Sequence, residues 1–233
     1  MASKTNSSNS KGGRDLASKA YEGIRGMLFR NEISPGQKIS YRDIAKHLGM
    51  SSTPVVLALT RLQDQGLVRH EPNRGYFTEP MSMQEIKEIY ELRELIELSL
   101  LPEVLNNLNQ KDIEKIHKIL RAHSNAAKEL NLNERINKDI EFHLTIASIS
   151  KRRIQLQTLR TLFDLLYLKY RGSIVFVSAK EAVGAEHQHV FDAIITGDLL
   201  KAEEALKLHF TNIKKQVFSV LQQIIDVPKG TIF

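Results

Sequence analysis

One aspartate and three histidines in the second half of the sequence have the residue types and spacing of a metal site. Asp139 and His143 are four residues apart, so on a helix their side chains point in directions only about 40° apart. His187 and His209 lie on two further helical stripes, and all four residues share their helix face with apolar side chains. A carboxylate is costly to bury alone, and a shared cation would compensate for its charge.

These donor types also narrow the choice of ion. Three imidazoles and one carboxylate suit Zn, Mn, Ni, Fe or Co and do not suit Ca or Mg. If these residues do share a cation, we expect it to be one divalent transition metal per subunit. The spacing alone leaves a second interpretation open, because a histidine on an apolar stripe is commonly an ordinary core residue. The other histidines lack comparable support: His189 points about 200° away from His187, and His47, His117 and His123 have the pattern of surface residues.

A metal site of this kind could also belong to an enzyme. A histidine-rich site with an open coordination position can activate water, as in a metal-dependent hydrolase. No further base lies near the four residues in sequence, so we do not expect an enzyme. The chain contains no cysteine, which excludes disulfides, thiolate ligands and a cysteine nucleophile.

The elements that must position these residues are helices. Throughout residues 84–233, apolar side chains recur at helical spacing in six segments, the first interrupted near Pro102. We predict an antiparallel all-helical bundle with sites built between facing helices. No run of residues approaches the length of a membrane span, and the first residues have no apolar core of a secretory signal. We expect a cytoplasmic protein with no membrane partner.

The first third of the chain carries nearly all of the positive charge. Residues 1–80 contain 12 Lys or Arg and 7 Asp or Glu, whereas residues 81–233 contain 21 and 20. A basic terminus without a function would give the same asymmetry, but it is also typical of a polyanion-binding module joined to a neutral one.

Local patterns in this basic region predict a winged helix-turn-helix. Residues 1–13 are polar and predict a disordered arm, which an amphipathic helix follows. Ser40 caps a predicted helix over Tyr41–Leu48, and Ser51 or Ser52 caps the next helix. Two short extended runs, 67–70 and 76–79, flank a basic turn and predict a hairpin. The predicted fold is therefore mainly α, with a winged helix over 14–80, a linker over 81–83 and the helical domain over 84–233.

The motifs of residues 36–80 resemble the DNA-binding domain of GntR-type bacterial transcription regulators. The shared features are the first helix of the helix-turn-helix, which ends in Leu48-Gly49, the Ser51-x-Thr53-Pro54-Val55 start of the second helix and the Arg74-Gly75 turn. The resemblance implies that operator DNA is contacted by six residues: Arg42, Ser51, Ser52, Thr53, Arg74 and Gly75.

Two positions depart from that family pattern. The family usually has arginine at the positions of Ser52 and Val56, and arginine is the side chain best suited to bidentate recognition of guanine. Their replacement predicts an unusual operator, or greater dependence on Arg42, the wing and DNA shape. Val56 could instead contact a thymine methyl group.

The helical region resembles the FCD ligand domain of the same regulators, in the FadR subfamily. In the metal-containing branch of that domain, the residues at the positions of Asp139, His143, His187 and His209 ligate a metal in the effector cavity. All four are present here. The resemblance also implies that Arg93 pairs with a charged group of the effector, and Arg171 is a further candidate. A salt bridge between Arg93 and Glu97 is an equally good interpretation of that arginine.

Together these patterns predict a homodimeric regulator, expected to be a repressor, that binds a palindromic operator and responds to a small organic acid at the metal. The alternatives are a regulator that senses the ion itself, a metal-dependent hydrolase, and a DNA-compacting protein without sequence preference. The last would show a steep salt dependence and no specificity.

Overall fold

The computed structural model describes residues 8–34, 36–79, 82–169 and 182–226 of the 233-residue chain. These residues form two compact units: the first comprises the described residues before Ser82 together with the short segment 167–169, and the second comprises the remaining described residues from Ser82 onward. Arg171, the second effector candidate, lies outside the described residues, as do residues 80 and 81 near the predicted linker. No helix among the described residues is long and apolar enough to cross a membrane.

The first unit is a winged helix. Its described elements are α1 (Ser8–Phe29), β1 (Lys38–Ile39), α2 (Tyr41–His47), α3 (Ser52–Asp64), β2 (Val68–Glu71) and β3 (Gly75–Thr78). The strands form an antiparallel sheet in the order β1-β3-β2. Helix α1 packs along α3, and both bury an apolar stripe that includes Ile24 and Leu59. The predicted fold of this part is confirmed.

Helix α1 begins earlier than the composition predicts. Residues 8–13 are helical, although we predicted them to belong to a disordered arm. Once a helix is nucleated, each further residue adds a hydrogen bond at little cost. The buried stripe from Ala20 to Leu28 supplies that nucleus, so the helix extends into a polar segment that could not fold alone.

The sheet differs from the predicted hairpin in two ways. Its strands β2 and β3 are each displaced by one residue from the predicted runs, and β1 was not predicted. Strand β1 has only two residues, too few to show an alternating pattern. It is held by its pairing with β3, where Lys38 is opposite Phe77 and Ile39 is opposite Tyr76.

The second unit is the predicted all-helical domain. Its described helices are α4 (Met83–Asn107), α5 (Gln110–Lys128), α6 (Leu132–Ile149), α7 (Arg153–Asp164), α8 (Ala182–Ile195) and α9 (Leu199–Asp226), with a π-helical turn over Leu165–Lys169 after α7. Helix α6 packs against α4, α5 and α7, and α8 packs against α5 and α9. Because α9 also packs against α4, the helices carrying the predicted metal ligands surround one interior.

Helix α4 continues through Pro102, where we predicted an interruption. Proline removes one backbone donor and usually kinks or ends a helix. Here the ring is exposed, while Leu101 and Val104 on either side are buried. Packing of these neighbours stabilises the helical path across the proline.

Candidate metal centre and nucleic-acid interface

The structure brings the four predicted metal ligands together. Asp139 and His143 lie on α6, His187 on α8 and His209 on α9, and each is at most 3% exposed. The donor atoms of the three histidines lie within 4.8 Å of one another. Oδ1 of Asp139 is 3.3 Å from Nε2 of His187, so the carboxylate joins the group through that ring.

Carboxylates orient two of the three imidazoles. Nδ1 of His143 lies 2.5 Å from Oε2 of Glu97, and Nδ1 of His209 lies 3.0 Å from Oε2 of Glu186. Each ring therefore keeps Nε2 for an ion, the arrangement usual for metal-binding histidines. Sequence analysis missed both carboxylate roles. Glu97 had been considered only as a partner of Arg93, and the signal for Glu186 was its position beside His187.

The donor atoms fit a divalent cation. Nε2 of His143 and Nδ1 of His187 are buried and, among the described residues, have no hydrogen-bond partner. Leaving such an atom unpaired costs about 1–3 kcal/mol. Two ligand atoms that are each about 2.1 Å from one ion lie about 3 to 3.5 Å apart. The contact between Asp139 and His187 has this separation.

Electrostatics keep the donors in the protonation states that bind metals. Burial lowers the pKa of His187 and of His209, because a charged imidazolium is disfavoured away from water. Burial alone would raise the pKa of Asp139, but His187 and the nearby charge of Arg93 outweigh it and hold that pKa below its usual range. His187 and His209 therefore offer neutral imidazoles, and Asp139 offers an ionised carboxylate.

Arg93 forms the salt bridge that the sequence left open. Its Nη2 and Nε atoms both lie 3.2 Å from Oε1 of Glu97, and both side chains are buried. The guanidinium carbon is 4.1 Å from the ring centroid of Phe163. Arg93 is thus linked through Glu97 to His143, and its contact with an effector stays a prediction.

His123 is buried, which corrects the sequence prediction of a surface residue. It is 2% exposed, and its ring centroid is 5.2 Å from that of His187. The signal was present in the sequence, because His123 follows Ile116 by seven residues and therefore shares the apolar stripe of α5. Of the other two histidines predicted at the surface, His47 is exposed and His117 is half-buried, and His189, predicted to point away from His187, is exposed.

Two cavities lie near the buried histidines. The first, about 10 Å³, is lined by apolar side chains together with Glu97 and His143. The second, about 740 Å³, lies between α5 and α8. Its lining residues include His117, Arg121 and Lys128 and contain no acidic side chain, and His123 also borders it.

In the first unit, the start of α3 presents polar groups to solvent. Ser51 is its N-cap residue, and the Ser51 side chain makes no capping hydrogen bond. Ser51 and Thr53 are exposed and Ser52 is half-buried, while Pro54 in the first turn is buried. An uncapped helix start offers backbone N–H groups to a phosphate. Arg42 is also exposed, on the preceding helix α2.

The predicted wing residues lie at the tip of the hairpin. Gly75 has φ +98°, a conformation that favours glycine and turns the chain into β3. Arg74 is exposed and forms an ion pair with Glu71, which also contacts Arg69. The tip therefore presents one cation whose charge is partly compensated within the hairpin.

The two positions that depart from the family pattern lie on α3. Val56 is half-buried, and Leu57 beside it is 55% exposed. The hydroxyl of Thr60 lies 3.1 Å from that of Tyr76 and donates to the carbonyl of Val56, linking α3 to the hairpin. The exposed surface of α3 is thus more apolar than the resemblance would imply.

Comparisons with known proteins identify two families. Residues 16–78 match bacterial regulatory proteins of the gntR family, and residues 88–212 match the FCD domain. The HTH-type transcriptional repressor RspR of Escherichia coli is 22% identical over 206 residues, which cover 88% of this chain and 90% of that protein. The HTH-type transcriptional regulator LutR of Bacillus subtilis is 25% identical over 209 residues, covering 81% and 94%.

A solved structure has the same fold. Escherichia coli McbR/YncC superposes with a TM-score of 0.77 at 20% identity, covering 91% of this chain and 99% of that one. The matched families and relatives are transcription regulators and not enzymes.

Proposed function

Because this chain belongs to the GntR family of transcription regulators and carries an FCD domain, we propose that it represses transcription under the control of a small organic acid bound at a metal. The buried group of Asp139, His143, His187 and His209 carries this proposal, since Nε2 of His143 and Nδ1 of His187 have no hydrogen-bond partner among the described residues. That the similar RspR is named a repressor supports the sign of regulation.

These four residues would hold one divalent transition metal, with Glu97 and Glu186 fixing two of the rings. When bound, the ion supplies Lewis-acidic positions that accept oxygen atoms of a carboxylate. Arg93 lies one hydrogen bond from the ring-orienting Glu97, so a second carboxylate that competes for this guanidinium would also loosen the ring of His143. Effector binding would then change the packing of helix α4 against helix α6.

The small size of the cavity beside His143 requires two arrangements of the helical bundle, one closed and one open. A volume of about 10 Å³ holds no more than one water molecule. An organic acid would therefore bind a more open arrangement of the bundle and raise its population. Only an acid that binds the two arrangements unequally alters operator affinity.

The same cavity favours a second candidate function, in which the ion itself is the signal. The histidine donor atoms already lie within 4.8 Å of one another, so a cation needs only small shifts, whereas an acid needs space. A regulator of this kind changes its operator affinity when the metal alone is added. An acid-gated regulator keeps its ion throughout and responds only to the acid.

DNA binding would use the start of α3 and the wing. Arg42, Ser51, Ser52, Thr53, Arg74 and Gly75 are the proposed contacts, and Arg42, Ser51, Thr53 and Arg74 are exposed. The N-terminal part of a recognition helix enters the major groove, while a basic wing lies on the backbone or in the minor groove.

Two copies are needed to bind a palindromic operator, and α4 offers a face for pairing. Leu92 and Leu95 are 42% and 66% exposed, and exposed Ser99 and Pro102 continue the same stripe. Scattered exposed leucines are common, but a continuous stripe is typical of an interface. Exchange of both leucines for glutamate should give a monomer by light scattering. Leu200→Glu, at a residue 72% exposed on α9, is the matched control.

One experiment tests the proposed function as a whole. An operator is selected from a random duplex pool, and its affinity is measured for metal-free protein, metal-loaded protein and loaded protein with a series of carboxylic acids. We expect strong sequence preference and a loss of affinity with at least one acid, abolished by His143→Ala with His209→Ala. Equal affinity for selected and random duplexes would overturn the proposal, and a response to metal alone would favour the ion sensor.

A further inference from the structure

His123 is an unusual core residue. It is 2% exposed, and its Nε2 atom is buried without a hydrogen-bond partner among the described residues. A neutral imidazole has one nitrogen that donates and one that accepts, so a core histidine is normally placed where both can be satisfied. Burial also lowers the pKa of His123, which keeps the ring neutral and leaves a lone pair available.

Two of the proposed metal ligands lie close to His123. The donor atoms of His123, Asp139 and His187 all lie within 4.8 Å of one another. This is the same criterion that groups His143, His187 and His209, so the buried polar cluster contains two overlapping sets of three donors. Asp139 belongs to the set that includes His123.

His187 is common to both sets and is held differently from the other rings. Carboxylates orient His143 and His209 through their Nδ1 atoms. Nδ1 of His187 has no hydrogen-bond partner among the described residues, and its Nε2 lies 3.3 Å from Oδ1 of Asp139 without hydrogen-bond geometry. The ring of His187 therefore has donors on two sides. One side has His123 of α5 and Asp139 of α6, and the other has His143 of α6 and His209 of α9.

We propose that His123, Asp139 and His187 form a second, overlapping binding position for the divalent transition metal, which shares Asp139 and His187 with the first, so that His123 is a metal ligand of this protein. The inference rests on the proposed metal centre and adds a donor from α5, a helix that contributes none of the sequence-predicted ligands. Two imidazoles and one carboxylate leave further coordination positions open, as in metal sites that accept an exogenous ligand. Such a ligand would reach the ion through the 740 Å³ pocket that His123 borders.

Metal binding by purified His123 variants tests the inference. His123→Gln and His123→Phe are compared with His117→Gln, a change at the half-buried histidine that lines the same pocket but belongs to neither donor set. Affinity for Co(II) is measured by competition with a chromogenic chelator, and the visible spectrum of the bound ion is recorded. We expect a loss of affinity of about tenfold or more and a changed spectrum in both His123 variants only.

A rescue experiment separates a ligand from a packing residue. His123→Ala leaves a space beside the pocket, and added imidazole should restore the Co(II) spectrum of the wild type. Imidazole should not restore the spectrum in His209→Ala, because the pocket lining does not include His209. Unfolding curves recorded in chelator show whether each variant is folded before metal is added.

The outcomes distinguish this inference from the proposed function. Wild-type protein that binds no Co(II) overturns both. Wild-type protein that binds Co(II), with His123→Gln equal to it in affinity and spectrum, overturns the role of His123 alone. If the variants do not fold, an anomalous scattering map of metal-loaded wild-type protein tests the role of His123 directly. An ion more than about 3 Å from the nearest nitrogen of His123 would show that His123 is not a ligand.

Discussion

Nδ1 of His143 lies 2.5 Å from Oε2 of Glu97, so a carboxylate on α4 fixes the orientation of an imidazole on α6. The other oxygen of Glu97 accepts hydrogen bonds from Arg93. Burial alone would raise the pKa of Glu97, but His143 and Arg93 outweigh it and hold that pKa below its ordinary value. One ionised side chain thus connects the proposed ligand set to a buried cation.

Glu97→Gln should weaken metal binding and the fold together. Loss of a partner that orients a ligand typically lowers metal affinity about 10- to 100-fold. Removing one member of a buried ion pair costs about 3–5 kcal/mol. Chelator competition and urea unfolding measure the two effects. The control is Glu94→Gln on the same helix, which breaks a partly exposed pair with Lys214 and should cost no more than about 1 kcal/mol.

Removal of the metal should lower the stability of the helical unit. A ligand bound only to the folded state stabilises it by about 2.7 kcal/mol at 100 times its Kd. Thermal unfolding is therefore expected at a lower temperature after chelation, and added Zn²⁺ or Co²⁺ should reverse the change. In His143→Ala the thermal unfolding curves recorded with chelator and with added metal should nearly coincide. A wild-type melting temperature that does not respond to chelator or metal would contradict the metal centre.

Metal-free protein should lose stability as the pH falls from 7.5 to 5.5. Burial lowers the pKa of His123, His187 and His209, so below the ordinary histidine pKa of about 6.5 the unfolded chain binds more protons than the folded chain. Urea unfolding in chelator at both values measures the effect. His123→Gln should reduce the difference, and exposed His47→Gln should not. Equal or greater stability at pH 5.5 would contradict the assignment.

Arg74→Ala should weaken operator binding nearly equally for all sequences. A wing cation on the phosphate backbone contributes affinity without reading bases, and its loss should reduce the slope of log K against log salt by about 1. Binding measured by fluorescence anisotropy at several salt concentrations gives this slope. Arg30→Ala removes another exposed arginine of the same unit, paired with Glu32, and should leave the slope unchanged.

Val56→Arg should change operator preference. Arginine at this position of α3 would restore the family pattern, and a bidentate contact with guanine contributes about 1–3 kcal/mol of discrimination. Selection from a random pool should therefore yield sites with an added guanine. Gln63→Arg, exposed near the end of α3, should raise affinity without altering the selected sequence. Identical sites for wild type and Val56→Arg would exclude Val56 from the DNA interface.

The features that can be predicted from the sequence are those that depend on the local periodicity of apolar residues. The helices of the second unit and the winged helix follow from apolar spacing around residues such as Ile136 and Leu59, whereas the grouping of the four predicted metal ligands also depended on the resemblance to the FCD domain. The i, i+4 relation of Asp139 and His143 places both on one face before any tertiary contact is known. Pro102 is different, because its exposure and the burial of its neighbours decide whether the helix continues.

What the sequence could not supply are contacts between distant elements. Glu97 and His143 are 46 residues apart, and no periodicity on either helix indicates that their side chains meet. Strand β1 exists only because β3 pairs with it. The burial of His123, in contrast, is indicated by its spacing of seven residues from Ile116 on the same helix.

Helix α4 begins at Met83, five residues after the wing strand ends, and carries Glu97 fourteen residues further along. That distance corresponds to about 21 Å of rigid rod. A tilt of about 5° at the level of Glu97 would displace the other end by about 2 Å. A hydrogen bond made or lost at Glu97 would thus move the N-terminal end of α4 further than it moves Glu97 itself.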